Sequence, residues 1–562
     1  MLEAKALRIL RNGLLFLAIL TTLWMAPYSS LDPVSMPKMC ILVFLSILLC
    51  GIWIPRTRQL IQSENRRVTI LLLTFIFLLL PIVLFSGTEI SLQIYGTYGR
   101  NTGALTYLAL ALVLLSVVFA TDVKYLQRFI HIFVVLGVLL ICYGQIQHQG
   151  WEPFPFQNAY GSNVFGTLGN PDFMSAFMGM VGAVSIGLAL GNKLKNWYRA
   201  GLVMLTFLTL LIIYETHAKQ GFLNFAAGAM LIFILWLFMN QKNRIAYIFS
   251  GLTIFGGGLV FLGIINLGPL AGYLYKASLE ARGFYWRAAI NMLMHHPIFG
   301  VGMDGYGEWY RRARNLEDTL VNPGITSDAA HNVFLDIASN GGFPLIIAYL
   351  AIFTLVVISI VKVVKRSKEF NPYFAALAGA WIAYQTQSFI SINAIGLAIW
   401  GWILSGLIIG YEINSRAQSA VSDADIIQGN RKNTKQNKQV LSSDTVVSVF
   451  ATTLTAAILA LPPYMAANNF YKAVKSGNAV ELQPAAYLKP YDRMRFTFVA
   501  YNLTQNNLND RALVVIRDAA KLFPNSYEVW NILVGLPNAN AAEIANAKAQ
   551  LKRLDPHNPD LK

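Results

Sequence analysis

Residues 342–361 read GFPLIIAYLAIFTLVVISIV, a run of 20 residues without a charged side chain. About twenty residues are enough for an α-helix to cross the roughly 30 Å hydrocarbon core of a bilayer. An unpaired backbone amide costs several kcal/mol in hydrocarbon, so a run this long and this apolar predicts a membrane-spanning helix.

Similar apolar windows recur along the whole chain. Twelve more cover 10–27, 37–54, 68–85, 103–120, 129–146, 173–190, 197–213, 222–239, 245–264, 373–389, 394–411 and 445–461. The chain of 562 residues is 55% hydrophobic and 13% charged, with a mean hydropathy of +0.50, which is too apolar for a soluble globular protein. We therefore predict an all-α fold, a polytopic membrane bundle of about 12–13 transmembrane helices.

The basic residues of the loops predict the orientation of this bundle. With a cytoplasmic N-terminus, most of them lie inside: Arg56, Arg58, Arg66, Arg67, Lys124, Arg128, Lys193, Lys195, Arg199, Lys242, Arg244, Lys362, Lys365, Arg366 and Lys368. The positive-inside rule favours this arrangement. The net charge of +16 then reflects topology, and cations dispersed over many loops argue against a nucleic-acid partner.

The same windows predict the domains. We expect a membrane domain at 1–411, a flexible cytoplasmic linker at 412–444, a last membrane helix at 445–464 and an extracytoplasmic soluble domain at 465–562. In that soluble domain, NDRALVVIRDAAKLFPNSYEVWNILVGL (509–536) has apolar residues at helical spacing and resembles tetratricopeptide helix pairs. Two such units are fewer than the about three that stable stacking needs, so the membrane domain or a partner protein is expected to cap them.

The longest outer loop, residues 265–330, departs from the charge pattern. On the side where few cations are expected it carries Lys276, Arg282, Arg287, Arg311, Arg312 and Arg314. A guanidinium group binds phosphate through two charge-assisted hydrogen bonds, so a diphosphate ligand would explain this excess. Loop solvation and salt bridges to Glu308, Glu317 and Asp318 are the alternative.

Two further residues are candidates for the same site. His331, in AHNVFLDIASNGG (330–342), stands at the start of the next apolar helix, where an imidazole near its ordinary pKa could face water. Lys219, in the short outer turn YETHAKQGF (214–222), could add a phosphate contact, or it could extend to the lipid headgroups. Neither His295 nor His296 has a partner at metal-ligand spacing, so we predict no metal site and no cofactor.

Three segments carry a resemblance to a known family. GTLGNPDFMSAF (166–177), RGFYWRAAINMLMHHPIFGVGMDGY (282–306) and AHNVFLDIASNGGFPLIIAYL (330–350) resemble the O-antigen ligase and polymerase superfamily of bacterial membrane glycosyltransferases. Members show Arg, Trp, HPxxGVG and a His-Asn-x-x-Leu helix start in that order. The resemblance covers about the first 410 residues and is strongest over 281–350.

The resemblance implies a donor in which a glycan is linked through diphosphate to a polyprenol such as undecaprenol. The glycan would pass to a hydroxyl acceptor, with inversion and without a metal ion or nucleotide sugar, on the outer face of the bacterial cytoplasmic membrane. Arg282 would bind the diphosphate with help from Lys219 or Arg287, and His331 would act at the acceptor as base or orienting group. Lys219 stands where many relatives have Arg, and a Lys point charge does not reproduce the guanidinium fork.

The acceptor stays open at this level. Lipid A core, another repeat unit, a protein hydroxyl and a cell-wall polymer are all compatible with the residues, and the C-terminal domain is a candidate docking module for a protein partner or the acceptor. The alternative function is a transporter or flippase for the same lipid-linked glycans. Transporters usually carry charges at the bilayer midplane, whereas these windows are nearly free of charge and the polar cluster lies on one face.

Overall fold

The computed structural model describes residues 3–154, 164–275, 277–425 and 441–561, which form helices joined by turns and loops. The predicted all-α class is confirmed. Before the outer loop, the described helices are α1 (Ala4–Leu23), α2 (Ser35–Cys50), α3 (Thr57–Ile61), α4 (Arg66–Phe85), α5 (Ile90–Tyr95), α6 (Ala104–Ala120), α7 (Val123–His148), α8 (Pro171–Ala189), α9 (Asn196–Glu215), α10 (Gln220–Met239) and α11 (Asn243–Ile264).

The outer loop and the end of the membrane domain contain α12 (Ala271–Leu274), α13 (Ala277–His295), α14 (Tyr306–Ala313), α15 (Leu316–Val321), α16 (Val333–Arg366), α17 (Pro372–Ile390) and α18 (Ile395–Asp425). The C-terminal part contains α19 (Ser443–Lys475), α20 (Ala479–Leu482), α21 (Arg493–Gln505), α22 (Asn509–Leu522), α23 (Tyr527–Gly535) and α24 (Ala541–Leu554).

Within the described residues, 10 helices are long and apolar enough to cross a membrane, or 11 if Ser35–Cys50 and Ile54–Ile61 form one bent span. Each predicted window coincides with a helix, so the polytopic helical bundle is confirmed. The count is nevertheless lower than the predicted 12–13, because α6 is only 17 residues long and α17 carries Gln385 and Gln387.

The centre of the bundle is made by α8 and α18, whose apolar windows are 89% and 94% buried, whereas that of α11 on the rim is only 6% buried. Small residues let the central helices approach closely. A Cβ on Gly179 would lie 2.6 Å from the Gly221 carbonyl oxygen, and one on Gly228 would lie 2.8 Å from that of Gly379. Contacts between helices in a membrane depend on such close approach.

A bend in α16 shapes the outer face of the bundle. Gly342 has φ +69°, which separates a short outer half, beginning at Val333, from the membrane-spanning half. The segment 297–302 runs along this bend and is held by three backbone hydrogen bonds: Val301 N–H to Ser339 (2.9 Å), Gly302 N–H to Asn340 (3.0 Å) and Phe343 N–H to Pro297 (2.7 Å). The HPxxGVG segment and the NGG segment therefore form one structural unit.

The C-terminal part has its own hydrophobic core, which includes Phe496, Ile516 and Trp530. Helix α19 runs without a break from the membrane window into this part, and α21 with α22 and α23 with α24 pack as successive pairs. The assignment of these pairs to the tetratricopeptide type stays a prediction. At the other boundary, α18 continues to Asp425 inside the predicted linker, whose residues 426–440 lie outside the described residues.

Candidate functional site

His331 lies at the start of α16 in a constrained position. Its backbone is left-handed, with φ +53°, and the next residue, Asn332, caps the helix by accepting the Leu335 N–H at 3.1 Å. The Asn332 amide also donates to the Phe389 carbonyl oxygen at 3.1 Å, which ties this start to the end of α17. The imidazole is thereby held at the start of α16, as its place in the sequence predicted.

Tyr285 on α13 brings Arg282 to His331. The Tyr285 and His331 rings stack with centroids 5.3 Å apart and planes 28° from parallel. Residues three apart share a helix face, so Arg282 lies on the same side of α13 as Tyr285. The charge of Arg282 acts on the His331 imidazole and on the Asp172 carboxyl at the first turn of α8. The structure thus brings the two predicted catalytic residues together.

His331 lines an open cavity of about 560 Å³ between α2, the loop after α5, the start of α8 and the outer loop. Arg100 and Asp328 line the same cavity, with a guanidinium nitrogen of Arg100 4.0 Å from a carboxylate oxygen of Asp328. The charged groups that line the cavity are the Arg100 guanidinium and the carboxylates of Asp32, Asp172 and Asp328, and His331 adds an imidazole. The cavity therefore combines a cation that could contact an anion with an imidazole that could accept a proton.

Asp304 holds the loop that carries Arg100. This buried carboxylate accepts hydrogen bonds from the Thr97 N–H at 2.7 Å and from the Thr102 hydroxyl at 3.1 Å. Gly96 packs so closely that a Cβ there would lie 2.5 Å from an Asp304 oxygen. Asp304 belongs to the GVGMDGY segment, so that segment positions both the bend of α16 and the Arg100 loop.

The near-neutral pKa that the sequence suggested for His331 does not hold in the folded protein. Burial lowers the pKa of His331 to about 3, and the positive charges of Arg100 and Arg282 act in the same direction. Burial also lowers the pKa of Arg282, although the nearby Asp172 opposes this effect. The imidazole is therefore neutral at physiological pH and able to accept a proton.

The other two predicted ligands do not line the His331 cavity. Arg287 on α13 makes a two-pronged ion pair with Asp318, with nitrogen to oxygen distances of 3.0 and 2.7 Å. Lys219 is exposed at the start of α10, next to Gln220, whose amide donates to the Asp172 carbonyl oxygen at 2.8 Å. Among the described residues that line the His331 cavity, neither Arg287 nor Lys219 is present.

The paired histidines of the outer loop have structural contacts. His296 packs edge-on against Trp309 with centroids 4.5 Å apart, and the His295 ring contacts the Asn291 carbonyl oxygen at 2.8 Å. In the part of the chain that the structure describes, no group of three or more His, Cys, Asp or Glu has the arrangement of a metal site.

Arg100, Tyr285 and Asp328 are the residues that sequence reasoning did not select. Arg100 is one of few cations in the short outer loops, and that exception to the positive-inside rule was the signal that could have identified it. Tyr285 and Asp328 carried no comparable signal, because their role follows only from packing against residues distant in the chain.

Comparison with known proteins finds a similarity for part of the chain. Residues 202–350 match the family described as O-Antigen ligase. This segment is similar to that family. The matched segment includes Lys219, Arg282, Arg287 and His331, whereas Arg100 precedes it. No curated protein matches the chain. The protein is thus a multi-pass membrane protein, and the match supports a membrane glycan-transfer function in general.

Proposed function

We propose that the protein transfers an oligo- or polysaccharide from a polyprenyl diphosphate, such as undecaprenyl diphosphate, to a hydroxyl acceptor on the outer face of the bacterial cytoplasmic membrane. The observation that supports this proposal is the shared cavity of His331 and Arg100, with Arg282 beside it. An anionic diphosphate and a hydroxyl nucleophile require such cationic and basic groups side by side. The orientation, with an inside N-terminus, rests on the charges of the loops.

The reaction is a single displacement with inversion. The acceptor oxygen attacks the anomeric carbon of the donor, the bond from that carbon to the diphosphate oxygen breaks, and His331 takes the acceptor proton. Diphosphate is a good leaving group, so the chain has to stabilise its charge rather than protonate it. Arg282, together with Arg100, is placed to do this electrostatically.

Binding of the donor would raise the pKa of His331. In the unliganded site, burial and the charges of Arg100 and Arg282 keep the pKa of His331 low. A diphosphate bound to these guanidinium groups offsets their charge and adds negative charge near the imidazole, and both effects raise the pKa of His331. His331 therefore becomes a better proton acceptor once the donor is bound.

Arg287 and Lys219 complete the proposed diphosphate contacts. Arg287 is held by Asp318, so the diphosphate has to compete with that carboxylate or recruit only the part of the guanidinium that stays exposed. Lys219 is exposed beside the start of α8 and has a flexible side chain, which lets it approach a donor bound near Asp172.

The test compares surface glycoconjugates by mass spectrometry in a deletion strain that expresses each variant. We expect His331→Ala and Arg282→Ala to abolish the glycan product while the protein still inserts into the membrane. His295→Ala serves as the control, because His295 is an exposed histidine of the same loop. Wild-type glycan in both test variants would overturn the proposal. Mass spectrometry also identifies the acceptor.

Reconstitution separates transfer from transport. In liposomes that contain the purified protein, transfer releases polyprenyl diphosphate and joins the sugar to the acceptor. A flippase moves the lipid-linked glycan across the bilayer with its diphosphate bond intact. Translocation without release of polyprenyl diphosphate would replace the transferase proposal with the transport alternative.

A further inference from the structure

A second cavity lies beside the His331 cavity, between the C-terminal domain and the outer loops. This tail cavity has a volume of about 210 Å³ and is lined by residues of α5 and its following loop, the outer part of α19, and segment 490–495. Drug-sized ligand pockets measure about 300–1,000 Å³. The tail cavity is smaller than this range, so it has room for one small polar unit.

The two cavities share part of their walls. Tyr98 and Asp328 line both the tail cavity and the His331 cavity. Asp328 is also the residue that approaches Arg100. Tyr98 and Asp328 thus form part of the border between the tail cavity and the cavity of the proposed base.

The tail cavity contains buried polar atoms without a partner among the described residues. They are Oε1 of Glu89, Oδ1 of Asn101, Oε2 of Glu308 and Nε of Arg495. Asn101 is 1% exposed and the Glu308 side chain 5% exposed. Buried polar atoms are nearly always hydrogen-bonded, so these four residues offer a polar molecule in the cavity three acceptor atoms and one donor. Sugar hydroxyl groups both donate and accept hydrogen bonds.

The remaining lining also suits a sugar. The phenol rings of Tyr95, Tyr98 and Tyr491 line the cavity, and the negative face of an aromatic ring attracts the polarised C–H groups of a pyranose. Its charged residues are Glu89, Glu308, Asp328, Asp492, Arg493 and Arg495. Carboxylates outnumber guanidinium groups, which favours a neutral or amino sugar over an acidic one.

The wall that the C-terminal domain supplies is fixed to the outer loops. Arg493 forms ion pairs with Glu308 of α14 and, at 3.3 Å, with Glu528 of α23. The Ser91 hydroxyl donates to the Tyr491 carbonyl oxygen at 2.7 Å. The cavity is therefore a built feature of the fold and not a gap between two loosely associated parts.

We propose that the tail cavity binds a neutral or amino sugar of the acceptor, with the hydroxyl that is to be glycosylated directed to the border formed by Tyr98 and Asp328. The C-terminal domain then contributes directly to acceptor recognition. The assignment of the bound sugar to the acceptor rests on the proposed function, whereas saccharide binding in this cavity rests on the contacts described above.

The binding test uses the full chain in lipid nanodiscs and saturation-transfer NMR. The probes are N-acetylglucosamine as a neutral sugar and glucuronic acid as an acidic one, each a single sugar ring. We expect the neutral probe to bind, and Glu89→Met to weaken it at least about tenfold, because the substitution removes an acceptor atom without removing a hydrogen bond within the described protein. Glu317→Met is the matched control, because Glu317 is exposed on α15.

Three results would overturn the proposal: no saturation transfer to the neutral probe, equal binding to Glu89→Met and to the control, or tighter binding of glucuronic acid. If Glu89→Met fails to fold, Tyr491→Leu tests the aromatic wall in the same way. The experiment needs neither donor nor turnover. It therefore gives an answer even if His331→Ala leaves glycan transfer intact and the proposed function fails.

Discussion

At the scale of single residues, the site depends on two left-handed positions that bracket the outer half of α16. His331 precedes the half-helix with φ +53° and Gly342 ends it with φ +69°. Residues held in this region of backbone space cluster at functional sites, because the surrounding contacts have to enforce them. The sequence shows the glycine but does not show why a glycine is required there, because the segment that Gly342 contacts lies some forty residues earlier.

Gly342→Ala tests this bend. The new Cβ would lie 2.6 Å from the carbonyl oxygens of Pro297 and Ile298, in a backbone conformation that L residues rarely adopt. We expect the free energy of unfolding to fall by at least about 1–3 kcal/mol, measured as a lower melting temperature in detergent. Gly201→Ala, in α9 with open space around it, should melt like the wild type. Equal melting of the two variants would contradict the account of the bend.

The low pKa of His331 predicts a pH dependence of stability. The unfolded chain has an ordinary histidine pKa of about 6.5, whereas the folded pKa is about 3 because of burial and the charges of Arg100 and Arg282. Between these values the unfolded state binds more protons, so stability is fully present above about pH 6.5 and falls as the pH decreases toward 3.

We therefore expect His331→Gln, which cannot gain a proton, to lose less stability than the wild type between about pH 6.5 and 4. Melting temperatures at each pH measure the difference. His295→Gln, at an exposed histidine of the same loop, is the matched control. A His331→Gln profile parallel to the wild type would show that the imidazole is not held neutral.

At the scale of elements, α13 carries three functions along its length. Arg282 and Tyr285 face His331, Arg287 pairs with Asp318 of α15, and Ala288 with Met292 packs into the small core of the outer loop. The sequence identified Arg282 and Arg287 as candidate ligands. It could not predict which of these cations would form an ion pair, because the sequence does not show which carboxylate of another helix lies close to each of them.

Asp318→Asn tests whether Arg287 is a donor ligand. The substitution removes the carboxylate that competes for the guanidinium, so we expect the KM for the lipid-linked donor to fall by about threefold, the size of a modest ion-pair effect. The adjacent Glu317→Gln is the control, since Glu317 is exposed. An unchanged or raised KM in Asp318→Asn would remove Arg287 from the proposed diphosphate contacts.

At the scale of the whole molecule, the C-terminal domain is anchored to the outer loop of the membrane domain. Arg314 and Asp555, both 0% exposed, are joined at 2.7 and 2.8 Å although they lie 241 residues apart. Arg311 adds an ion pair with Asp555 at 3.3 Å and lies over the Tyr527 ring. The apolar windows predicted the helical bundle, and the motifs identified His331 as a candidate site residue. The anchor could not be predicted, because an ion pair between residues so far apart in the chain leaves no local sequence pattern.

Asp555→Ala should detach this anchor. Removing one partner of a buried ion pair leaves an uncompensated charge, which costs about 3–5 kcal/mol, so we expect a lower melting temperature and faster proteolysis of the C-terminal domain. The double variant Arg314→Met/Asp555→Leu should recover much of the loss, because it buries no charge. A double variant less stable than Asp555→Ala would argue against a stabilising role for the pairing itself.

Helix α19 imposes a fixed dimension on this assembly. Its 33 residues correspond to about 50 Å at 1.5 Å per residue, well beyond the roughly 30 Å hydrocarbon layer, and Pro462 and Pro463 occur within it without interrupting it. Insertion of one residue into α19 would rotate the C-terminal domain by about 100° about the helix axis. Insertion of seven residues would nearly restore the original orientation but would move the domain by about 10 Å along that axis. The length of α19 therefore fixes both the distance of the C-terminal domain from the membrane and its rotation about the helix axis.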